Sequence, residues 1–309
     1  MANTLFARGP GVPLSSRGAQ GIIDRTAADL RTWQVERESR KAEAVGEVWA
    51  AGAGGAQLQV ESAVDGVMAP IDGPWQEAKV GTIMVRQLAV QPEAPTLGVV
   101  LARRDVGILG SGDDVAIRII QVMREAGWER LPIGEMLGDG APWIWTVADA
   151  HVPGVRQTLD SDHLSEPLDA FAQLLYPNHP AGAKAWVDQN MGAFLTDRVS
   201  EGLGALKRMR PWKTAVRKAS AQLIGDVERN RTRIRYQEPW QRGLAVGSGA
   251  VEGACKHGIQ QRFKRPGMRW KLPGFLNVLA WRLASLDRRF EAFWASRGLA
   301  VQASVASTK

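Results

Sequence analysis

Leu131-Pro132-Ile133-Gly134-Glu135-Met136-Leu137 runs into Gly138-Asp139-Gly140, and Pro142-Trp143-Ile144-Trp145 follows at once. A short apolar run stopped by glycine reads as a strand. A proline ahead of apolar residues reads as the first turn of a helix, where its missing N–H costs nothing. The stretch therefore predicts a strand whose carboxyl end delivers an aspartate at the mouth of a helix. One strand feeding one helix is the repeating unit of an α/β sheet, and the flanking segments extend that unit in both directions.

Upstream, Leu58 to Val64 alternates and ends at Asp65-Gly66, and Val67 to Pro70 leads to a turn at Asp72-Gly73-Pro74. Trp75 to Val85 and Leu97 to Arg103 read as a second and a third strand, and the Asp-Gly punctuation suits antiparallel hairpins. A helix follows, capped by Ser111 or Asp113, with Val115, Ile119, Val122, Met123 and Ala126 on its apolar face and Gly127 as its stop. Downstream, Val155 to Leu159 is a fifth strand that ends in Asp160-Ser161-Asp162-His163. From Leu164 to about Arg235 the pattern is helical, with Phe171, Leu174, Phe194, Leu206, Trp212 and Val227 among the expected buried positions. The order is three hairpin strands, helix, strand, helix, strand, a long helical insertion, and final helices. That order predicts an α/β, ribonuclease-H-like fold: a mixed sheet flanked by helices, with the all-helical insertion before the helix that carries Glu252.

That last helix follows Gly247-Ser248-Gly249-Ala250-Val251-Glu252-Gly253-Ala254-Cys255-Lys256-His257. Ser248 is placed as an N-cap, and helical spacing puts Glu252, Lys256, Ile259 and Phe263 near one face. Glu252 is one acid among Lys256, His257, Arg262, Lys264, Arg265, Arg269 and Lys271. Such a carboxylate either holds a divalent cation against a polyanion or makes a surface ion pair on a solvated face.

The 309 residues carry a net charge of +7, which favours a polyanionic partner. A single cysteine, Cys255, excludes an internal disulfide framework and any multi-cysteine zinc site; it reads as a packing residue. No apolar run approaches the roughly 20 residues that cross a bilayer, and the N-terminus lacks a signal-peptide core. The expectation is a reduced, cytoplasmic protein with no membrane partner, associated with the nucleoid.

Asp65 and Asp139 each close an expected strand, and the Glu252 helix can fold over both. Carboxylates converging from separate elements suit two-metal phosphodiester chemistry, in which two Mg²⁺ ions, or Mn²⁺, sit about 3.5–4 Å apart. An Asp-Gly pair alone usually marks a turn. Asp160 and His163 form a second cluster, either orienting DNA near the metals or serving as a helix cap beside a satisfied polar residue. Lys79, Arg103, Arg104, Arg262, Lys264, Arg265 and Arg269 are candidate phosphate contacts, and Phe263 and Trp270 beside the last of them are candidates for base stacking.

These residues resemble the ISKra-type family of bacterial insertion-sequence transposases, within the DDE superfamily. The matching pieces are Val64-Asp65-Gly66, Trp75-x-Glu77-x-Lys79-Val80-Gly81, Gly138-Asp139-Gly140-Ala141-x-Trp143-Ile144-Trp145, Leu159-Asp160-x-x-His163, and Gly247 to His257 leading to Gly267-Met268-Arg269-Trp270. The resemblance implies that Asp65, Asp139 and Glu252 are the catalytic, metal-holding triad and that Asp160 and His163 are accessory. It implies metal-dependent cleavage at the element's ends and strand transfer into target DNA, by a homo-oligomer assembled on DNA. Lys79, Lys256, His257, Arg262, Lys264, Arg265, Arg269 and Trp270 are the expected DNA contacts. Residues 1–51 are then a helical remnant of a helix-turn-helix-like region, 52–57 a linker, 58–163 and 248–290 the catalytic core, 164–247 the helical insertion, and 291–309 a tail. The family's N-terminal region is usually longer than the about fifty residues here. The alternative is therefore a truncated, non-catalytic remnant that only binds DNA.

Overall fold

The computed structural model describes residues 16–39, 57–88, 97–287 and 289–307. Among these residues five strands form one sheet: β1 (Leu58–Pro70), β2 (Trp75–Gln87), β3 (Val99–Ile108), β4 (Ile133–Gly138) and β5 (Arg156–Leu159), in the order β3-β2-β1-β4-β5. β1, β2 and β3 pair antiparallel, whereas β4 and β5 run parallel to β1. This is the mixed, helix-flanked sheet of a ribonuclease-H-like α/β fold, as the order of elements predicts.

One expectation changes in β1. The strand pairs with β2 along its whole length, from Leu58 opposite Gln87 to Pro70 opposite Trp75. Asp65-Gly66 therefore lies inside a continuous strand and not at its end. The chain reverses later, at Ile71 to Pro74, where Asp72 and Gly73 adopt φ of 53° and 107°; aspartate and glycine tolerate that left-handed region best. What does stop near Asp65 is the parallel ladder, whose last pair is Val64 with Gly138.

Helices cover both faces: α1 (Ser16–Ser39), α2 (Gly112–Glu125), α3 (Pro142–His151), α4 (Ser161–Leu175), α5 (Pro180–Leu195), α6 (Val199–Arg208), α7 (Thr214–Arg229) and α8 (Gln237–Gln241) precede the glycine loop. After it come α9 (Gly249–Ala254), a π-helical turn (Cys255–Gln260), α10 (Gln261–Phe263), α11 (Leu272–Leu286) and α12 (Arg289–Ser307). The strands' period-two alternation assigns the faces. Val60, Val64, Ile83, Val85 and Met136 pack toward α2, α3 and the insertion. Ala63, Val67, Ala78, Val80 and Leu137 pack toward Val251, Ile259, Phe263 and α11. Asp65 has the parity of Ala63 and Val67, so it stands on the face that receives the Glu252 helix.

Local signals explain several of these elements. Ser111 and Asp114 form a reciprocal capping box at the start of α2, whose Val115, Ile119, Val122 and Met123 are buried. In the insertion, α4 to α7 pack on Phe171, Phe194, Leu203, Leu206 and Val227. Leu174 and Trp212, expected inside, are exposed: Leu174 falls outside the 164/168/171/172 stripe, and Trp212 lies between α6 and α7.

The N-terminal helix packs on the core, with buried Leu30 against Ala280, Ala284 and Phe293 and Asn277 donating to Asp24 at 3.1 Å. The expected continuation of this helix to residue 50, and the glycine linker at 52–56, lie outside the described residues. The stretch read as a tail is helical through Ser307. Two aromatic residues near its start anchor it, Phe293 meeting Trp33 at 5.6 Å and Trp294 meeting Trp281 at 6.2 Å. Among the described residues no helix is long and apolar enough to cross a membrane.

Two acids are buried side by side in the sheet, Glu61 of β1 in register with Glu135 of β4. Glu61 accepts from Arg86 Nε at 2.6 Å and from the Ala245 amide at 2.8 Å. Glu135 accepts from the Thr158 hydroxyl on one oxygen, and its other oxygen has no partner among the described residues. Burial, reinforced by the Glu61 charge, pushes the Glu135 carboxyl up to about 7 from 4.5, against the Thr158 bond. The folded state thus holds this proton more tightly than the unfolded chain, so stability falls as pH rises from about 4.5 to about 7. Glu135→Gln, which cannot ionise, is expected to stabilise the fold at pH 8 by on the order of 2 kcal/mol. The advantage should fade toward pH 4.5, as read by thermal melts across that range.

Candidate active site

The site forms where the parallel strands end. β4 finishes at Gly138, and Asp139 follows in the turn to α3, with its Oδ1 accepting the Ala141 amide at 2.8 Å. Gly140 makes this turn possible by taking a φ of 97°. β5 finishes at Leu159, and Asp160 caps α4 by accepting the Asp162 amide at 3.0 Å. The same Oδ1 accepts the Ser248 amide at 3.1 Å, and the second oxygen accepts the Ser248 hydroxyl. Asp160 is only 2% exposed, so its charge is stabilised by these donors rather than by water.

Ser248 stands at the N-cap of α9, but its side chain does not cap the helix. Its hydroxyl faces Asp160 and also Glu252 Oε1, at 2.8 Å. A hydroxyl carries one hydrogen, so Ser248 links the two carboxylates and can donate to only one at a time. Cys255, seven residues after Ser248, donates its thiol to Asp65 Oδ2 at 3.4 Å, while the Gly66 amide donates to Asp65 Oδ1 at 2.6 Å.

Asp65, Asp139, Asp160, His163 and Glu252 all line one cavity of about 200 Å³, together with Glu166, Val64, Ser248 and Val251. The five residues singled out as triad and accessory pair are thus brought together. Five carboxylates and one imidazole face this space, a strongly negative enclosure. Burial raises the Asp65 carboxyl above its ordinary range; the Cys255 thiol and the Gly66 amide oppose the rise, Asp139 adds to it, and His163 offsets it. Burial and the Asp65 charge push the Cys255 thiol far upward, which suits a neutral donor to Asp65. His163 lies 3.9 Å from Glu166 and is exposed.

The donor chemistry suits a hard divalent cation: the cavity presents carboxylate oxygens, which magnesium and manganese take. Asp139 and Glu252 each keep a second oxygen beyond the one already hydrogen-bonded to the protein. The spacing is looser than the chemistry, since among the described residues no three His, Cys, Asp or Glu groups stand close enough to share one ion.

The expected DNA contacts divide. Lys79 is buried in β2, paired with Glu77 at 2.7 Å and set over the Trp143 ring, so it is not a surface phosphate contact. Trp270 is half-buried: its ring packs on Phe263 at 4.9 Å, its N–H donates to the Phe263 carbonyl, and Arg262 covers its face at 4.9 Å. Lys79 is thus turned away from solvent, and the Trp270 ring is already engaged within the protein. Lys256, His257, Lys264, Arg265 and Arg269 are exposed. Glu252 and Lys256 do not share the buried face of Ile259 and Phe263, because the π-helical turn inserts an extra residue and shifts the helix phase between them. The sequence carried no clear signal for that turn, nor for the Cys255 to Asp65 contact.

Comparison with protein-family models finds no match, and none of the curated proteins matches the chain. The transposase resemblance therefore stands on the quoted motifs alone.

Two outcomes check the geometry. Cys255 should resist a thiol reagent such as DTNB in the folded protein and titrate as one thiol per chain in denaturant. Ser248→Ala, which takes a donor from buried Asp160, should lower the unfolding free energy in urea by about 1–3 kcal/mol.

Proposed function

We propose that the chain is a DDE-type transposase catalytic domain that cleaves and joins DNA with the help of divalent metal. The observation that carries this reading is the meeting of Asp65, Asp139 and Glu252, from β1, the β4–α3 turn and α9, at one cavity on the carboxyl edge of the parallel strands. Ligands of open α/β sheets sit at that edge. Mg²⁺ or Mn²⁺ bound there would activate the attacking hydroxyl and stabilise the leaving oxygen of a phosphodiester.

In this reading Asp65, Asp139 and Glu252 supply the oxygens that hold the metal. Asp160 and Ser248 are positioning residues: they fix the start of α9 and thereby the direction of Glu252. Cys255 and the Gly66 amide do the same for Asp65. His163, exposed at the rim, would contact the DNA backbone or carry a proton. The exposed cations beyond α9 supply phosphate contacts. Handling two element ends together calls for at least two copies of the chain on DNA.

The test is a plasmid carrying the coding region with its flanking DNA, incubated with Mg²⁺ or Mn²⁺ and assayed for nicks and joined products. Products are expected from the parent chain and should fall to background in the near-isosteric Asp139→Asn and in Glu252→Gln. Products that persist unchanged in both variants would refute the assignment. One observation favours a second reading, a DNA-binding remnant without catalysis: the carboxylates are not drawn onto a shared ion position. A gel shift with no cleavage under any divalent metal would support that alternative.

A further inference from the structure

A second concave surface lies at the far end of the same elements. The tip of the β1–β2 hairpin and the loop after α10 form a cleft of about 410 Å³, lined by Pro70, Trp75, Lys264, Arg265, Met268 and Arg269 among others. Three of its lining residues are cations and none is acidic. Trp75 is 57% exposed at the first position of β2, and Lys264 Nζ sits 5.6 Å from the centre of its ring. An indole so open in water, beside unscreened cations, is poorly explained as packing. It contrasts with Trp270, which bridges to Ile71 at the tip of the same hairpin and is fixed by Phe263 and Arg262.

We propose that this cleft binds unpaired nucleotides of a DNA strand, with Trp75 stacking on a base and Lys264, Arg265 and Arg269 holding the flanking phosphates. An aromatic face with cations at its edge suits single-stranded nucleic acid, whose bases are free to stack whatever their sequence. Duplex DNA offers the same phosphates but no free base face, so Trp75 adds nothing for it. The inference deepens the transposase reading and rests on it for the placement of the strand.

The position of the cleft follows from two elements that run side by side away from the cavity. β1 advances five residues from Asp65 to Pro70, about 17 Å at strand rise. The helical stretch advances twelve residues from Glu252 to Lys264, at most about 18 Å, since its π-helical turn rises less per residue than an α-helix. The two stay together at the far end, where the Trp270 amide donates to the Pro70 carbonyl and the Asp72 amide to the Trp270 carbonyl. At about 3.4 Å per nucleotide along one strand of a duplex, the cleft meets DNA about five nucleotides from the reacting phosphate. A strand opened at that point would place its unpaired base on Trp75.

The test uses the full chain and a fluorescein-labelled oligo(dT) of fifteen nucleotides, with a duplex of equal length as control, both read by anisotropy. Trp75→Ala should weaken oligo(dT) binding about ten-fold or more, Trp75→Phe should retain most of it, and duplex binding should be little changed. Lys264→Ala with Arg265→Ala should weaken both and flatten the salt dependence. Ultraviolet crosslinking of an oligonucleotide bearing 5-iododeoxyuridine should label the peptide containing Trp75. Equal oligo(dT) affinity in parent and Trp75→Ala, with no label on that peptide, overturns the cleft. Trp75 is exposed, so truncation leaves the core intact, and a thermal melt verifies this. The outcomes separate from those of the transposase reading: cleavage lost in Asp139→Asn while binding ignores Trp75 rejects only the cleft. Trp75-dependent binding without any metal-dependent cleavage rejects only the catalysis.

Discussion

The arrangement of the acidic cavity depends on one buried carboxylate. Asp160 accepts the amides of Asp162 and Ser248 and the hydroxyl of Ser248, so a single anion starts α4 and also fastens the chain where α9 begins. Charge-assisted bonds of this kind are about twice as strong as neutral ones, and burial raises the penalty for losing any of them. The return from the helical insertion is held at two more points. The Ser161 amide donates to the Val246 carbonyl at 3.0 Å, and the Ala245 amide donates to buried Glu61. Without this seam, the insertion would reach the sheet at no fixed place, and Glu252 would have no defined partner.

The sheet supplies the other half. Parallel strands β4 and β5 end together, so the residues that follow them, Asp139 and Asp160, are neighbours by construction. β1 contributes differently, because it is antiparallel to β2 and parallel to β4 at once. Its pairing with β2 keeps it straight beyond the end of the parallel ladder, which carries Asp65 to the rim of the cavity without a turn. The negative enclosure and the cationic cleft then lie at two ends of the same paired elements.

Much of this was legible in the amino-acid order. The run from Leu131 to Trp145 contains its own stop, turn and start signals, so β4, Asp139 and α3 were readable locally. The alternation of apolar residues assigned strands whose faces the sheet respects. Asp65-Gly66 misled because an Asp-Gly pair is ordinarily a turn, whereas pairing with β2 across its full length is a tertiary effect that overrides the local preference. Lys79 and Trp270 misled for a related reason. Charge and aromaticity suggested solvent and ligand, but Glu77, Trp143 and Phe263, brought close by folding, had already engaged them. Cys255 looked like packing and is packing, yet its thiol also touches Asp65, a contact between residues far apart in sequence that no spacing rule reveals.

The π-helical turn from Cys255 to Gln260 separates two obligations that a regular helix would couple. Upstream, the rotation of the helix is set by what Glu252 and Val251 must face; downstream, by where Phe263 and Trp270 must lodge. An ordinary α-helix fixes the azimuth of one end from the other at about 100° per residue. The extra residue acts as a gasket between them, taking up the mismatch in one turn. Substitutions could therefore reshape the cationic end without retuning the acidic pole.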